Sequence, residues 1–169
     1  VHLDVPPGVP KLAGIEPQTA IMPFCIPQLL RFAHLDIAGT ERIPQQGAAI
    51  LCGNHRSYFD VLALSYTFAR AGRPTRFLAK KELFDVPVLG DLFPALGGIR
   101  VDRGTGSDEP LLEAADAVAA GEAVVIMPQG TIPRGRAFYD PELRGRWGAA
   151  RLAAMTGAPV IPIGLWGTE

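Results

Sequence analysis

Apolar residues in this chain arrive in short unbroken runs, separated by stretches with helical spacing. Ala48-Ala49-Ile50-Leu51-Cys52 stands between Gly47 and Gly53 and has the pattern of a strand buried on both faces. Ala123-Val124-Val125-Ile126-Met127 repeats that pattern, and Thr75 to Ala79, Gly98 to Val101 and Val160 to Leu165 are further strand candidates. Between the first two strands, Val61 to Ala69 carries no turn residue and predicts a mostly buried helix that Gly72 and Pro74 end. Leu111, Leu112, Ala115, Val118 and Ala119 recur at i, i+1, i+4, i+7 and i+8, which gives a second helix one apolar face. Ser107 is its predicted cap, Asp108 and Glu109 suit the positive end of its dipole, Pro110 fits the first turn, and Gly121 supplies the stop. Asp140-Pro141 predicts another helix, with Asp as the cap and Pro at the first helical position, reaching Met155 and ended by Gly157. Gln28 to Leu35 offers a short apolar helix-like turn.

Strands alternating with helices of about 10–15 residues predict an α/β fold. The expected form is a mostly parallel central sheet with helices on both faces, three layers in all. The first 27 residues hold six prolines and read as a short, linker-like Pro-rich segment, so the domain is taken as residues 28–169. The chain has no initiator Met and stops just after a strand-like run, as expected of a segment cut from a longer protein at its C-terminal end. The linker-like start suggests that something precedes the domain, either another catalytic domain or a membrane anchor.

Composition narrows the classes. The 19 glycines and 16 prolines in 169 residues exceed the usual share, but 48% hydrophobic residues and a net charge of −1 exclude a disordered chain. Two cysteines without CxxC spacing give no support to a disulfide scaffold, redox chemistry or zinc. No apolar run approaches the ~18 residues of a membrane span, and no signal-peptide pattern opens the chain.

Charge is segregated despite the neutral total. Arg70, Arg73, Arg76, Lys80 and Lys81 come without an intervening acid. Arg134, Arg136, Arg144, Arg146 and Arg151 follow with only Asp140 and Glu142 between them, while Asp108, Glu109, Glu113, Asp116 and Glu122 form an acidic set. The basic clusters suit phosphate-bearing substrates and an anionic membrane surface, and solvated helix faces would look the same. A pI near 6.3 and few aromatics beside the basic residues disfavour nucleic acid.

In parallel sheets the working residues gather beyond the carboxyl ends of strands. After the first strand comes Gly53-Asn54-His55-Arg56-Ser57-Tyr58-Phe59-Asp60. Asp60 lies about one helical turn into the next helix, where its carboxylate can reach back to one imidazole nitrogen of His55. The other nitrogen is then a base with a fixed tautomer, able to act directly on a hydroxyl without a serine or cysteine nucleophile. The same two residues also suit a purely structural hold on the turn. Asp102-Arg103-Gly104 follows the third strand, and Arg103 suits a phosphate or carboxylate, although a surface Asp–Arg pair would read alike. In Pro128-Gln129-Gly130-Thr131-Ile132-Pro133-Arg134-Gly135-Arg136, Gly130 exposes backbone N–H groups, Thr131 adds a hydroxyl, and Arg134 and Arg136 add charge. Such a loop can hold an oxyanion or a phosphate, or be an ordinary turn with solvated arginines. It lacks GxxxxGK[ST], so it is not a nucleotide-hydrolysing loop of that type.

Taken in order, these loops resemble the glycerolipid acyltransferase family, which includes the lysophosphatidic acid acyltransferases. Asn54-His55-Arg56-Ser57-Tyr58-Phe59-Asp60 matches the family's NHxxxxD block. Ala79-Lys80-Lys81-Glu82-Leu83 and Gly98-Ile99-Arg100-Val101-Asp102-Arg103 are similar to its second block, Met127-Pro128-Gln129-Gly130-Thr131 to its FPEGTR block, and Val160-Ile161-Pro162-Ile163 to its closing VPV-type strand. The resemblance covers roughly residues 36 to 169 and reads 28–169 as an acyltransferase domain. Two positions depart from the pattern: Gln129 and Ile132 stand where the family usually has Glu and Arg.

The resemblance implies an enzyme that moves a fatty acyl group from acyl-CoA or acyl-carrier protein to the free hydroxyl of a lysophospholipid or glycerol phosphate. His55 would be the general base and Asp60 its orienting partner. Backbone N–H groups near Gly130 would hold the oxyanion, and Lys80, Arg103, Thr131 and Arg134 the acceptor's phosphate. Asn54, Arg56, Ser57 and Gln129 would line the substrate. Cys52 would be only a core residue, with no metal and no cofactor beyond the acyl thioester co-substrate. The implied location is membrane-associated, on the cytoplasmic face. A thioesterase using the same pair, or a non-catalytic lipid-binding module, are the alternatives.

Overall fold

The computed structural model describes residues 31–102 and 108–169. The Pro-rich segment 1–27, the boundary at residue 28, and Arg103, Gly104 and Ser107 lie outside the described residues.

Among the described residues, five strands form one sheet: β1 (Ala49–Gly53), β2 (Thr75–Lys80), β3 (Gly98–Val101), β4 (Ala123–Ile126) and β5 (Val160–Ile163). Every pairing is parallel and the order is β3-β2-β4-β1-β5. The two runs with the most continuous apolar character, β1 and β4, lie side by side in the interior of the sheet, with Cys52 opposite Ile126. Their uniform apolarity follows from position, because a strand covered on both faces has no polar side. Edge strand β5 alternates between exposed and partly buried residues instead.

Among the described residues, four α-helices connect the strands: α1 (Phe59–Ala71), α2 (Leu89–Ala95), α3 (Glu109–Ala119) and α4 (Gly148–Thr156). On one face of the sheet, Leu64 and Phe68 of α1 pack with Ala49, Leu51, Ala123 and Val125. On the other, Leu111, Ala114, Ala117 and Val118 of α3 and Leu152 of α4 pack with Ile50, Val124, Ile126 and Ile99. Alternate residues of β1 and β4 thus feed two separate cores, and the three-layer α/β arrangement follows. Fully burying a side chain such as Leu64 or Phe68 contributes about 1.5–3 kcal/mol.

The helix ends follow the local chemistry in part. Gly72 adopts the left-handed conformation at φ 70°, its N–H returns to Ala69 O, and the Arg73 N–H returns to Phe68 O. At the start of α3, Asp108 makes no side-chain cap; its carboxylate grips Arg151 at 2.7 and 2.8 Å.

Three expectations are corrected. The helix predicted from Asp140 begins only at Gly148, because long-range bonds claim the preceding backbone. The Asp140 carboxylate accepts the Glu142 N–H in a local turn, Asp140 O is held by Arg56, and the Arg146 N–H donates to Pro128 O at 2.7 Å. Within the predicted turn at 28–35, residues 31–33 are turn and bend with no helix. The stretch 84–97, to which the sequence assigned no element, contains α2, with Pro94 inside it.

The charge pattern also changes on folding. Arg73 is buried where β2 and β4 begin, donating to the carbonyls of Gln45, Gly47 and Gly121. Arg76 pairs with Glu122 at 3.3 Å and Glu113 at 3.6 Å, Lys80 with Glu82, and Lys81 with Asp102. The first basic cluster is therefore no free cationic patch: Glu113 and Glu122 of the acidic set, with Glu82 and Asp102, neutralise much of it. Arg134, Arg136, Arg144 and Arg146 are exposed and have no acidic partner among the described residues.

Candidate active site

The carboxyl ends of β1 and β4 are neighbours, so the loops that leave them, 54–58 and 127–134, emerge side by side. The loop after β1 folds around one carboxylate. Asp60, in the first turn of α1, is fully buried, and its Oδ2 accepts the His55 Nδ1–H at 2.9 Å, the Arg56 N–H at 2.7 Å and the Ser57 N–H at 2.8 Å. Its other oxygen, Oδ1, accepts the hydroxyl of Thr168 at 2.5 Å. Burial raises the Asp60 carboxyl, but the bonds from His55, Thr168, Ser57 and Arg56 outweigh it and hold the group below the ordinary carboxylate range. Asp60 is thus an anion at neutral pH, and an anion on Nδ1 assigns the imidazole proton to that nitrogen. His55 keeps 14% of its side chain exposed, and its Nε2 has no hydrogen-bond partner among the described residues. The arrangement is a base with one nitrogen anchored and the other available.

The remaining predicted residues fall into distinct roles. Asn54 is a clamp: its Nδ2 donates to Leu165 O at 2.9 Å, and its Oδ1 accepts the Leu165 N–H at 2.6 Å. Both halves of the amide are taken by the segment after β5. Ser57 accepts the Phe59 N–H at 3.1 Å and so shapes the start of α1. Arg56 reaches across to the loop after β4, donating to Phe138 O at 2.5 Å and Asp140 O at 3.1 Å, with its guanidinium 5.9 Å from the Phe138 ring centre. These bonds bring the arginine-bearing loop alongside His55.

At the end of β4, the Gly130 N–H donates to Met127 O at 2.8 Å and closes a turn. That amide is occupied, and of the backbone N–H groups near Gly130 the one on Thr131, like the Thr131 hydroxyl, has no partner among the described residues. Gly130 has φ 68°, and a Cβ there would meet the Arg146 side chain at 3.4 Å, so Arg146 lies over this turn. The Gln129 Oε1 is buried without a hydrogen-bond partner. Lys80, at the end of β2, is two strands from β1, roughly 9–10 Å along the sheet, and its ammonium is 3.1 Å from Glu82. Arg134 is exposed at the mouth of a shallow concavity shared with Arg136, Phe138 and Tyr139. Arg103 lies outside the described residues. Cys52 is a half-buried free thiol packed on the α3 side of the sheet, and burial pushes its thiol up, which suits a core residue.

The sequence points to Leu165 only as the end of a strand candidate and assigns Thr168 no role. Nothing local marks the contact that either one makes, because their partners Asp60 and Asn54 lie 108 and 111 residues away. No helix among the described residues is long and apolar enough to cross a membrane.

Comparison with known proteins places these features in a wider set. The Acyltransferase family model matches residues 34–166. A 1-acyl-sn-glycerol-3-phosphate acyltransferase of Borreliella burgdorferi is 31% identical over 156 residues, covering 88% of this chain and 58% of that protein. A chloroplastic 1-acyl-sn-glycerol-3-phosphate acyltransferase of Brassica napus is 31% identical over 141 residues, covering 81% of this chain and 38% of that protein. Among solved structures, the 1-acyl-sn-glycerophosphate (LPA) acyltransferase PlsC from Thermotoga maritima superposes with a TM-score of 0.69 at 25% identity, over 89% of this chain and 58% of that one. The chain thus spans roughly two-fifths to three-fifths of the length of these relatives.

Proposed function

The chain belongs to the acyltransferase family, and from that premise we propose that its parent protein moves a fatty acyl group from an acyl thioester to the free hydroxyl of a lysophospholipid or glycerol phosphate. The observation that carries this reading is the His55–Asp60 pair, one imidazole nitrogen fixed by a buried carboxylate and the other unpartnered at the junction of two strand ends.

In the proposed reaction, His55 Nε2 takes the proton from the acceptor hydroxyl as its oxygen attacks the thioester carbonyl. Asp60 holds the ring in the competent tautomer and stabilises the imidazolium. The Thr131 N–H donates to the developing oxyanion in place of the occupied Gly130 amide, leaving the Thr131 hydroxyl for the acceptor's phosphate. Collapse breaks the carbon–sulfur bond, and the departing thiolate, carried by CoA or a carrier protein, takes the proton back from His55. The products are an ester and a thiol, and no acyl-enzyme forms.

Lys80, Thr131 and Arg134, with Arg103 as the sequence resemblance implies, would hold the acceptor's phosphate. Gln129 would present its buried, unpartnered amide oxygen to a donor on the substrate. An anionic lipid surface is the proposed source of the acceptor. Exposed Tyr58, Tyr139, Trp147 and Trp166 each stand within three residues of His55, Phe138, Arg146 or Leu165, and the arginines without an acidic partner among the described residues share the segment after β4 with Tyr139 and Trp147.

The test uses the full-length protein with an acyl-CoA and measures thiol release with and without lysophosphatidate. Release that requires the acceptor, with formation of the diacyl product, is the expected result. Equal release without acceptor would identify a thioesterase instead. Vesicle binding with no turnover on any acceptor would identify a lipid-binding module.

A further inference from the structure

Three of the four donors to Asp60 converge on one oxygen, and all three come from residues 55–57, in the loop that Asp60 itself follows. A carboxylate held through one oxygen can still pivot, because the terminal torsion of an aspartate is broad rather than confined to narrow wells. Pivoting would swing the plane of Oδ2 relative to the His55 ring and tilt the imidazole with it. The fourth donor differs in origin: Thr168 approaches from beyond β5, on the far side of β1 from β4, and occupies Oδ1.

The path that delivers Thr168 is itself fastened. Asn54 clamps both backbone polar groups of Leu165, and Gly167 turns the chain in the left-handed region at φ 73° immediately before Thr168. Asn54 adjoins His55, so the clamp ties the base's own loop to the segment carrying Thr168. Two neighbouring loops thus hold each other at one end through Asn54–Leu165 and at the other through Asp60–Thr168.

We propose that Thr168 is a positioning residue for the His55–Asp60 pair, its hydroxyl fixing the plane of the carboxylate through Oδ1 while the Asn54–Leu165 clamp holds it in place. The role rests on the reading of His55 and Asp60 as the working pair, and it assigns to the segment after β5 a part in catalysis that its sequence does not advertise. Thr168 is assigned its effect through Asp60 alone.

The experiment compares Thr168→Val, which removes the hydroxyl and keeps the shape, with Thr168→Ser, which keeps the hydroxyl, in the full-length protein. Two readouts are taken: kcat and KM for transfer from acyl-CoA to lysophosphatidate, and the carbon-13 titration of the Asp60 carboxyl. Thr168→Val is expected to lower kcat by about tenfold or more, since small misplacements of a catalytic group carry penalties of that size, with KM within about twofold. Its Asp60 titration moves upward toward the ordinary carboxylate range, and Thr168→Ser restores both quantities. Wild-type kcat and an unmoved titration in Thr168→Val, or equal impairment of the Val and Ser variants, would overturn the proposal. If Thr168→Val does not fold, Thr168→Ala removes the same hydroxyl and takes its place in both readouts. His55→Ala, run alongside, separates the two ideas: unchanged turnover there defeats the assignment of the base, while the carbon-13 titration still decides whether Thr168 acts on Asp60.

Discussion

Replacing Asp60 by Asn tests the division between fold and chemistry in this site. The substitution keeps the shape and removes the charge. The amide oxygen can still accept the three donors that meet at Oδ2, and the amide nitrogen can donate to the Thr168 hydroxyl, which is free to rotate. Charge-assisted hydrogen bonds contribute about 1.5–3 kcal/mol and neutral ones about 0.5–1.5, so weakening four bonds costs a few kcal/mol before the relief of no longer burying an anion. The net loss is about 1–2 kcal/mol, a fall in Tm of about 3–6 °C for a chain of this length. Catalysis suffers far more. A neutral Asn, its oxygen kept toward the Arg56 and Ser57 N–H groups, preserves the tautomer but stabilises no imidazolium. A loss of at least about 100-fold in kcat is expected, at the low end of what a positioned base supplies. Asp60→Ala behaves differently, because it strands the His55, Arg56 and Ser57 donors in a buried site. At about 1–3 kcal/mol for each unsatisfied group it removes a large share of a typical 5–15 kcal/mol stability. Thermal melts and steady-state kinetics on both variants measure these outcomes. An Asn variant that keeps more than about a tenth of wild-type kcat would refute the reasoning.

Other outcomes follow from the same contacts. Arg73→Leu, at the end of the sheet opposite the site, leaves the Gln45, Gly47 and Gly121 carbonyls without their donor and should cost about 3–5 kcal/mol in denaturant unfolding, with the kcat of the folded fraction unchanged. Arg56→Ala releases Phe138 O and Asp140 O, so limited proteolysis should cut within 131–147 much faster than in wild type, while the melting of the sheet changes little. The Asp60 carboxyl is held below its unfolded value near 3.9, so its contribution to stability is fully present above that pH and is lost as pH falls through the lower folded value. The Asp60 contribution to the stability gap between wild type and Asp60→Asn should therefore shrink as pH falls below about pH 4, as urea melts through the acid limb would register.

How much of this was legible in the sequence depends on the range of the interactions involved. The interior strands β1 and β4 announce themselves because burial on both faces demands unbroken apolar runs, and the helical spacing of α3 is legible too, although its buried face is Leu111, Ala114, Ala117 and Val118 while the expected Leu112 and Ala119 are exposed. The Asn54–Asp60 block is legible for a similar reason: the bonds from His55, Arg56 and Ser57 to Asp60 span at most five residues. Asp140-Pro141 misleads because a good local start signal loses to bonds from Arg56 and Pro128 that no local pattern encodes. Helix α2 is hidden by Pro94 and Gly90, which read as breakers although the helix is only seven residues long. The basic run from Arg70 to Lys81 looks like an anion site until folding brings Glu113, Glu122 and Asp102 against it. Thr168 was invisible, since a lone threonine gains meaning only from the carboxylate it meets.

The measurement that bears most directly on the whole account is single-turnover acyl transfer by His55→Ala in the full-length protein, on material whose melting temperature matches wild type. Loss of transfer to lysophosphatidate by about 1,000-fold or more, within the range expected for removing a positioned general base, is the result the account predicts. Transfer within tenfold of wild type would contradict it.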